Sequence, residues 1–122
     1  KTAPQATIDN AKYNADNIAD GEAIFKTNCV SCHSEGGKGG IGPNLTDDAW
    51  INQPEKTLFK NIFYMVENGS KNNPTMQAWG KNGVLTGNDI EKVAAYVYHI
   101  NQEIPDAAGG AAPQGTIANW EK

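Results

Sequence analysis

Residues 29–33 read Cys29-Val30-Ser31-Cys32-His33, and these two cysteines are the whole cysteine content of a 122-residue chain. A bridge across so short a loop removes little chain entropy, so the pair cannot staple a small secreted fold. The thiols must therefore do chemistry. A redox-active dithiol wants a strand–helix–strand setting, which does not read here. A zinc site needs four ligands, and His99 is the one histidine or cysteine left outside the cluster. The spacing C-x-x-C-H is instead the attachment signature of haem c. Two thiols three residues apart at a helix end can add to the two vinyl groups along one porphyrin edge. The following histidine then lies under the iron as proximal ligand.

The iron needs a sixth ligand or an open face, and the candidates are Met65, Met76 and His99. Met65 sits among Ile62, Phe63, Tyr64 and Val66 and reads as core filler. His99 lies late in a helical segment, where its charge suits a helix C-terminus. Met76 stands in a stretch of loop composition, Asn73-Pro74-Thr75-Met76-Gln77-Ala78-Trp79-Gly80, where no periodicity explains it. It is the preferred axial ligand, with a structural role as the alternative.

Outward from the motif, three segments carry helical signals. The first is expected over about 17–32, with Ile18, Phe25 and Cys29 at helical spacing and Asp16 or Asn17 as cap. The second is expected over about 54–68, with Pro54 at the first helical position and Asn52 or Gln53 as cap. Leu58, Ile62, Met65 and Val66 form its apolar stripe, and Gly69 follows its end. The third begins at Thr86 with Asp89 as a variant capping box, runs through Ile90, Val93, Val97 and Ile100, and stops before Pro105. No segment reads as a convincing strand. The expected fold class is all-α, three main helices and loops around one covalently bound haem c.

Residues 1–16 are polar and read as a lead-in or linker, and residues 104–122 as an Ala/Gly/Pro-rich flexible tail that Trp120 could anchor. The compact unit is then 17–103, about 85 residues, short for a large core of its own. A covalently held group would supply the missing filling. Glycines in the loop 36–42 let the backbone turn around such a group, and the loop lacks the order of a phosphate cradle. Trp50 and Trp79 are expected to pack near it. Lys38, Lys71 and Lys81 read as solvated loop charges, or as groups that orient an acidic partner patch. Asp47 and Asp48 read as helix or turn caps.

Ten lysines, no arginine and fourteen acids leave a formal charge of −4, which argues against nucleic acid. No run of about 18 apolar residues is present, so this sequence does not itself span a membrane. Nor does it open with a basic, then apolar, leader. Any signal peptide is expected to have been removed or to lie outside the sequence.

The order of these motifs resembles a class I cytochrome c domain from about Ala19 to Asn101. The resemblance rests on Asp20-Gly21-Glu22-Ala23-Ile24-Phe25, the C-x-x-C-H motif, Gly42-Pro43-Asn44-Leu45, Met76-Gln77-Ala78-Trp79-Gly80, and Ile90 through Val97. Residues 42–50, Gly-Pro-Asn-Leu-Thr-Asp-Asp-Ala-Trp, are most similar to the cytochrome c domains in the diheme subunit of cbb3-type terminal oxidases. The resemblance implies that the Pro43 carbonyl accepts a hydrogen bond from the second nitrogen of His33. It also implies that Gly21 lets the first helix cross closely over Tyr96. Two departures stand out. Gln77 follows Met76 where the subgroup usually has proline, and one C-x-x-C-H is present where the diheme subunit has two.

The function expected is electron transfer by a single His33/Met76-ligated haem c, with Cys29, Cys32, Pro43 and Trp79 completing the cofactor site. The preferred setting is a tethered module of a terminal oxidase, acting with oxidase subunits or other redox proteins. Its tether is expected upstream of Lys1. The alternatives are a freely diffusing periplasmic shuttle, and a haem enzyme or gas sensor with a labile sixth ligand. Haem attachment outside the cytoplasmic membrane implies a periplasmic or periplasm-facing location, and the isolated domain is expected to be a monomer.

Overall fold

The computed structural model describes residues 12–71, 73–103 and 110–121. Helix α1 spans Ala15–Asn28, and the short α2 (Val30–His33) leads into a single 3₁₀ turn at Glu35–Gly37. Helices α3 (Leu58–Asn68) and α4 (Gly87–Gln102) complete the helical frame. Strands β1 (Ala49–Trp50) and β2 (Thr116–Ile117) pair antiparallel, with Ala49 opposite Ile117 and Trp50 opposite Thr116. This two-residue pair was not expected, but it leaves the architecture helical.

Local chemistry sets each helix boundary. Asn14 caps α1 by accepting from the Asn17 N–H at 2.9 Å, two to three residues earlier than expected. At the other end the Cys29 carbonyl accepts from both Cys32 and His33 N–H groups, at 3.2 and 2.9 Å, carrying the chain into α2. Helix α3 begins at Leu58 under a Thr57 cap, not at Pro54. The reason lies in Asn61, fully buried, whose side chain accepts from Glu55 N–H (3.1 Å) and donates to Asn52 O (3.0 Å). Those bonds hold residues 52–55 in a non-helical course. Helix α4 starts as its sequence indicates, on a reciprocal Thr86/Asp89 capping box.

The core joins Phe25 of α1, Ile62 and Val66 of α3, and Ile90, Val93, Ala94 and Val97 of α4. Helix α1 packs chiefly on α4. At their crossing a Cβ on Gly21 would stand 1.9 Å from the Lys92 carbonyl oxygen and 3.0 Å from Tyr96 Cβ. No backbone atom tolerates such an approach. Gly21→Ala is expected to force the helices apart and cost about 3 kcal/mol, read as a lower denaturant midpoint with an unchanged slope.

The packed domain extends beyond 17–103 at both ends. Tyr13 packs edge-on against Tyr98, with ring centroids 5.1 Å apart, and its hydroxyl donates to Glu103. Residues 110–121 differ from the flexible tail expected of them. Ala118 and Trp120 belong to the core, and Trp120 meets Trp50 edge-on at 6.0 Å. The pairing of β2 with β1 supplies order that the Ala/Gly/Pro composition does not reveal. Residues 1–11, and the stretch 104–109 that includes Pro105, lie outside the described residues.

Hydrogen bonds from Tyr13 and His99 hold Glu103 below the usual carboxylate range. A carboxyl depressed on folding adds stability above its unfolded pKa, and that stability is lost as pH falls through the folded value. Tyr13→Phe is therefore expected to lower the urea midpoint at neutral pH. Its deficit should shrink progressively below about pH 4, where the carboxyl protonates in both proteins.

Candidate haem site

One side of the site is built by the turn at the end of α1. Cys29, Cys32 and His33 emerge from α2 and its junction with α1. The chain then doubles back, with Gly42 N–H donating to Cys32 O at 2.7 Å and Leu45 N–H to Gly37 O at 2.7 Å. This return places the Pro43 carbonyl 2.8 Å from His33 Nδ1. A carbonyl can only accept, so Nδ1 carries the proton, and the Nε2 lone pair is left for a ligand bond. Burial pushes the His33 pKa below its ordinary value, against the smaller opposing effect of the Pro43 bond. The ring is therefore neutral at neutral pH, the form that binds iron. Fully buried Asn101 fixes the same loop to α4 by donating to Leu45 O and Asp47 O, each at 2.8 Å. Asp47 Oδ1 accepts from Ala49 N–H at 3.0 Å, the turn-cap role open to it from sequence.

A second part of the wall comes from the α3–α4 connection. Ser70 N–H donates to Met76 O at 3.2 Å, and Met76 N–H donates to Asn73 O at 3.1 Å. Trp79 O accepts from Val84 and Leu85 N–H groups at 3.0 and 3.1 Å, closing the connection onto α4. Met76 and Trp79 both pack partly buried against the core.

These segments enclose one cavity of about 500 Å³. Cys29, Cys32, His33, Pro43, Met76 and Trp79 all line it. Met65 lines it too, half-buried on α3, as do its core neighbours Ile62 and Val66. Trp50 joins the wall. His99 does not, and binds Glu103 through Nδ1 at 2.8 Å. Lys38, Lys71 and Lys81 are exposed and away from the lining. Gln114 also lines the cavity, a contribution sequence reasoning missed. The Thr-Ile pair two residues beyond it, with Trp120 nearby, was the available signal of order.

The donor chemistry suits haem. The space has carbon-rich walls from Phe25, Ile62, Val93 and Val97, with thiols and an imidazole at one side and thioethers among the lining. The buried Trp50 indole N–H finds no acceptor among the described residues, and a haem carboxylate would give it one. Burial, reinforced by Cys32, pushes the Cys29 thiol up to about 11. A dithiol redox centre needs the opposite shift. Among the described residues no group of three or more His, Cys, Asp or Glu side chains is arranged to hold a metal ion directly.

Comparison with known proteins identifies the family. The family described as "Cytochrome C oxidase, cbb3-type, subunit III" matches residues 16–97, a stretch that holds both the C-x-x-C-H turn and the Met76 connection. The chain belongs to this family. It is 35% identical over 96 residues to the Cbb3-type cytochrome c oxidase subunit CcoP of Cereibacter sphaeroides, covering 72% of this chain and 32% of that protein. To subunit FixP of Bradyrhizobium diazoefficiens it is 36% identical over 101 residues, covering 80% and 34%. The chain thus spans about a third of the length of the curated relatives it matches. Cytochrome cL from Methylophaga aminisulfidivorans aligns with a TM-score of 0.64 at 27% identity, over 74% of this chain and 59% of that one. The fold of this cbb3-family domain is the all-α class I cytochrome c fold. Among its described residues no helix is long and apolar enough to cross a membrane.

Proposed function

We propose that this domain is a single-haem electron-transfer module of a cbb3-type terminal oxidase, facing the periplasm and tethered outside this sequence. In this reading Cys29 and Cys32 would hold the haem covalently, and His33 and Met76 would ligate its iron. The observation that carries it is that all four side chains line the same cavity. Haem, when bound, supplies the one-electron chemistry of its iron.

The residues of the chain do the rest. The Pro43 carbonyl holds the His33 ring in one orientation and raises the basicity of its free nitrogen. The bonds of Met76 to Ser70 and Asn73 fix the thioether segment, so the ligand position changes little between oxidation states. Phe25, Val93 and Val97 keep water from the interior, while the Trp50 N–H offers a hydrogen bond to a carboxylate. Trp79 packs the wall beside Met76. Were His33 and Met76 both to ligate the iron, no position would be left for a substrate, which favours electron transfer over catalysis.

The test begins with the domain matured in a host that attaches haem c. Denatured protein should keep its haem absorbance through acidified-solvent extraction. The reduced protein should be reoxidised rapidly by membranes containing cbb3 oxidase, and should not bind carbon monoxide at neutral pH. Ready carbon monoxide binding would replace this reading with that of a haem enzyme or gas sensor. Reoxidation no faster with those membranes than without them would remove the oxidase assignment.

A further inference from the structure

Residues 110–121 lie beyond the family match, yet they complete the cavity wall. The segment is tied at its start to the loop after His33, where Ala111 N–H donates to Lys38 O (2.8 Å) and Asn44 Nδ2 donates to Ala111 O (3.1 Å). Midway, Gln53 Nε2 donates to the carbonyl and hydroxyl oxygens of Thr116, both at 3.0 Å. Farther on, Ala118 N–H donates to Asp48 O (2.9 Å) and Glu121 N–H to Lys56 O (2.8 Å). The strap therefore joins the glycine-rich loop, β1 and the approach to α3.

Two of its residues meet the cavity chemistry. Gln114 reaches the lining itself. Gly115, at φ +88°, passes so close to Trp50 that a Cβ there would lie 2.4 Å from the Trp50 carbonyl carbon and oxygen. Trp120 then meets the Trp50 ring edge-on, with centroids 6.0 Å apart. The strap thus meets Trp50 at two points, its backbone at Gly115 and its ring at Trp120, and the indole N–H faces no acceptor among the described residues.

We infer that this C-terminal strap is a positioning element for the haem edge, seating Trp50 and bringing Gln114 to the cavity, and so helps set the reduction potential. The inference rests on the haem reading above. Its physical basis is that oxidation adds one positive charge at the iron, so polarity and water at the adjoining wall bias the equilibrium. A carboxylate at position 114 favours the oxidised form, and an ammonium there favours the reduced form.

The experiment uses the full, haem-loaded chain and spectroscopic redox titration. Gln114→Glu should raise the oxidised-to-reduced ratio at a fixed ambient potential about tenfold, and Gln114→Lys should lower it about tenfold, ~59 mV in each direction. Ile117→Glu and Ile117→Lys provide the control, since Ile117 is on the same strap, 71% exposed and outside the lining. They should shift the ratio by less than about twofold, the effect of a screened surface charge. Gly115→Val, which displaces the strap from Trp50, should change the near-ultraviolet dichroism of the indoles and move the potential in the same direction as Gln114→Glu. Shifts at position 114 below about twofold, or of the same sign for both charges, overturn the inference and leave the strap a structural brace. Absence of covalent haem in the parent chain would instead show as a missing haem absorbance, marking failure of the underlying reading.

Discussion

Cys29→Ala/Cys32→Ala will abolish covalent haem retention and with it most of the cooperative stability of the domain. Both thiols lie at the wall of a cavity of about 500 Å³. Cavity scaling of about 24 cal/mol per Å³ puts the cost of leaving that space unfilled at up to ~12 kcal/mol. That is comparable to the whole stability of a small domain. The double variant should release its haem into acidified solvent, and thermal dichroism should show a broad loss of helix in place of a sharp transition. Each single variant keeps one thioether. It should therefore retain haem through extraction and still melt cooperatively. A double variant that melts like the parent would mean that the walls close without the cofactor.

Met76→Ala will remove the weak red absorption of a sulfur–iron bond in the ferric protein and open the reduced iron to carbon monoxide, whereas Met65→Ala will do neither. The comparison matters because both methionines line the cavity. Met76 sits in a connection whose backbone is pinned on both sides, to Asn73 and to Ser70, while Thr75 N–H closes a local turn on Asn73 Oδ1 at 3.0 Å. A thioether presented this way can reach a bound iron without moving a helix. Met65 is carried on α3, whose position is set by buried Leu58, Ile62 and Val66. Loss of the thioether should also raise the oxidised-to-reduced ratio at fixed potential by at least about a hundredfold, since sulfur ligation favours the reduced iron. Loss of the red band in Met65→Ala, with retention in Met76→Ala, would move the axial ligand to α3.

Legibility in the sequence followed the range of the interactions involved. The Thr86/Asp89 capping box joins residues three apart and could be read directly, as could Gly69 at the end of α3. The start of α3 could not. Pro54 carries a helix-start signal, but the side chain of Asn61 claims the backbone of residues 52 and 55 and delays the helix to Leu58. The place of Met65 in the lining was not legible, because periodicity marks an apolar face without saying whether protein or a cofactor covers it. Residues 110–121 were misread for a related reason. Their composition is that of a linker, and their order comes from β1, Lys38 and Lys56, all more than fifty residues away in sequence.

Two cysteines and a histidine at fixed spacing pointed to the cofactor chemistry by themselves, because thioether attachment to one porphyrin edge would require them close together in the chain. Helical periodicity and local caps likewise determined the all-α class. Only the tertiary structure decided which residues complete the cavity: Met65 as well as Met76, Trp50 with an indole N–H that finds no acceptor among the described residues, and Gln114 on a strap counted as tail. Those assignments depend on contacts between segments distant in sequence, and such contacts exist only once the helices have packed.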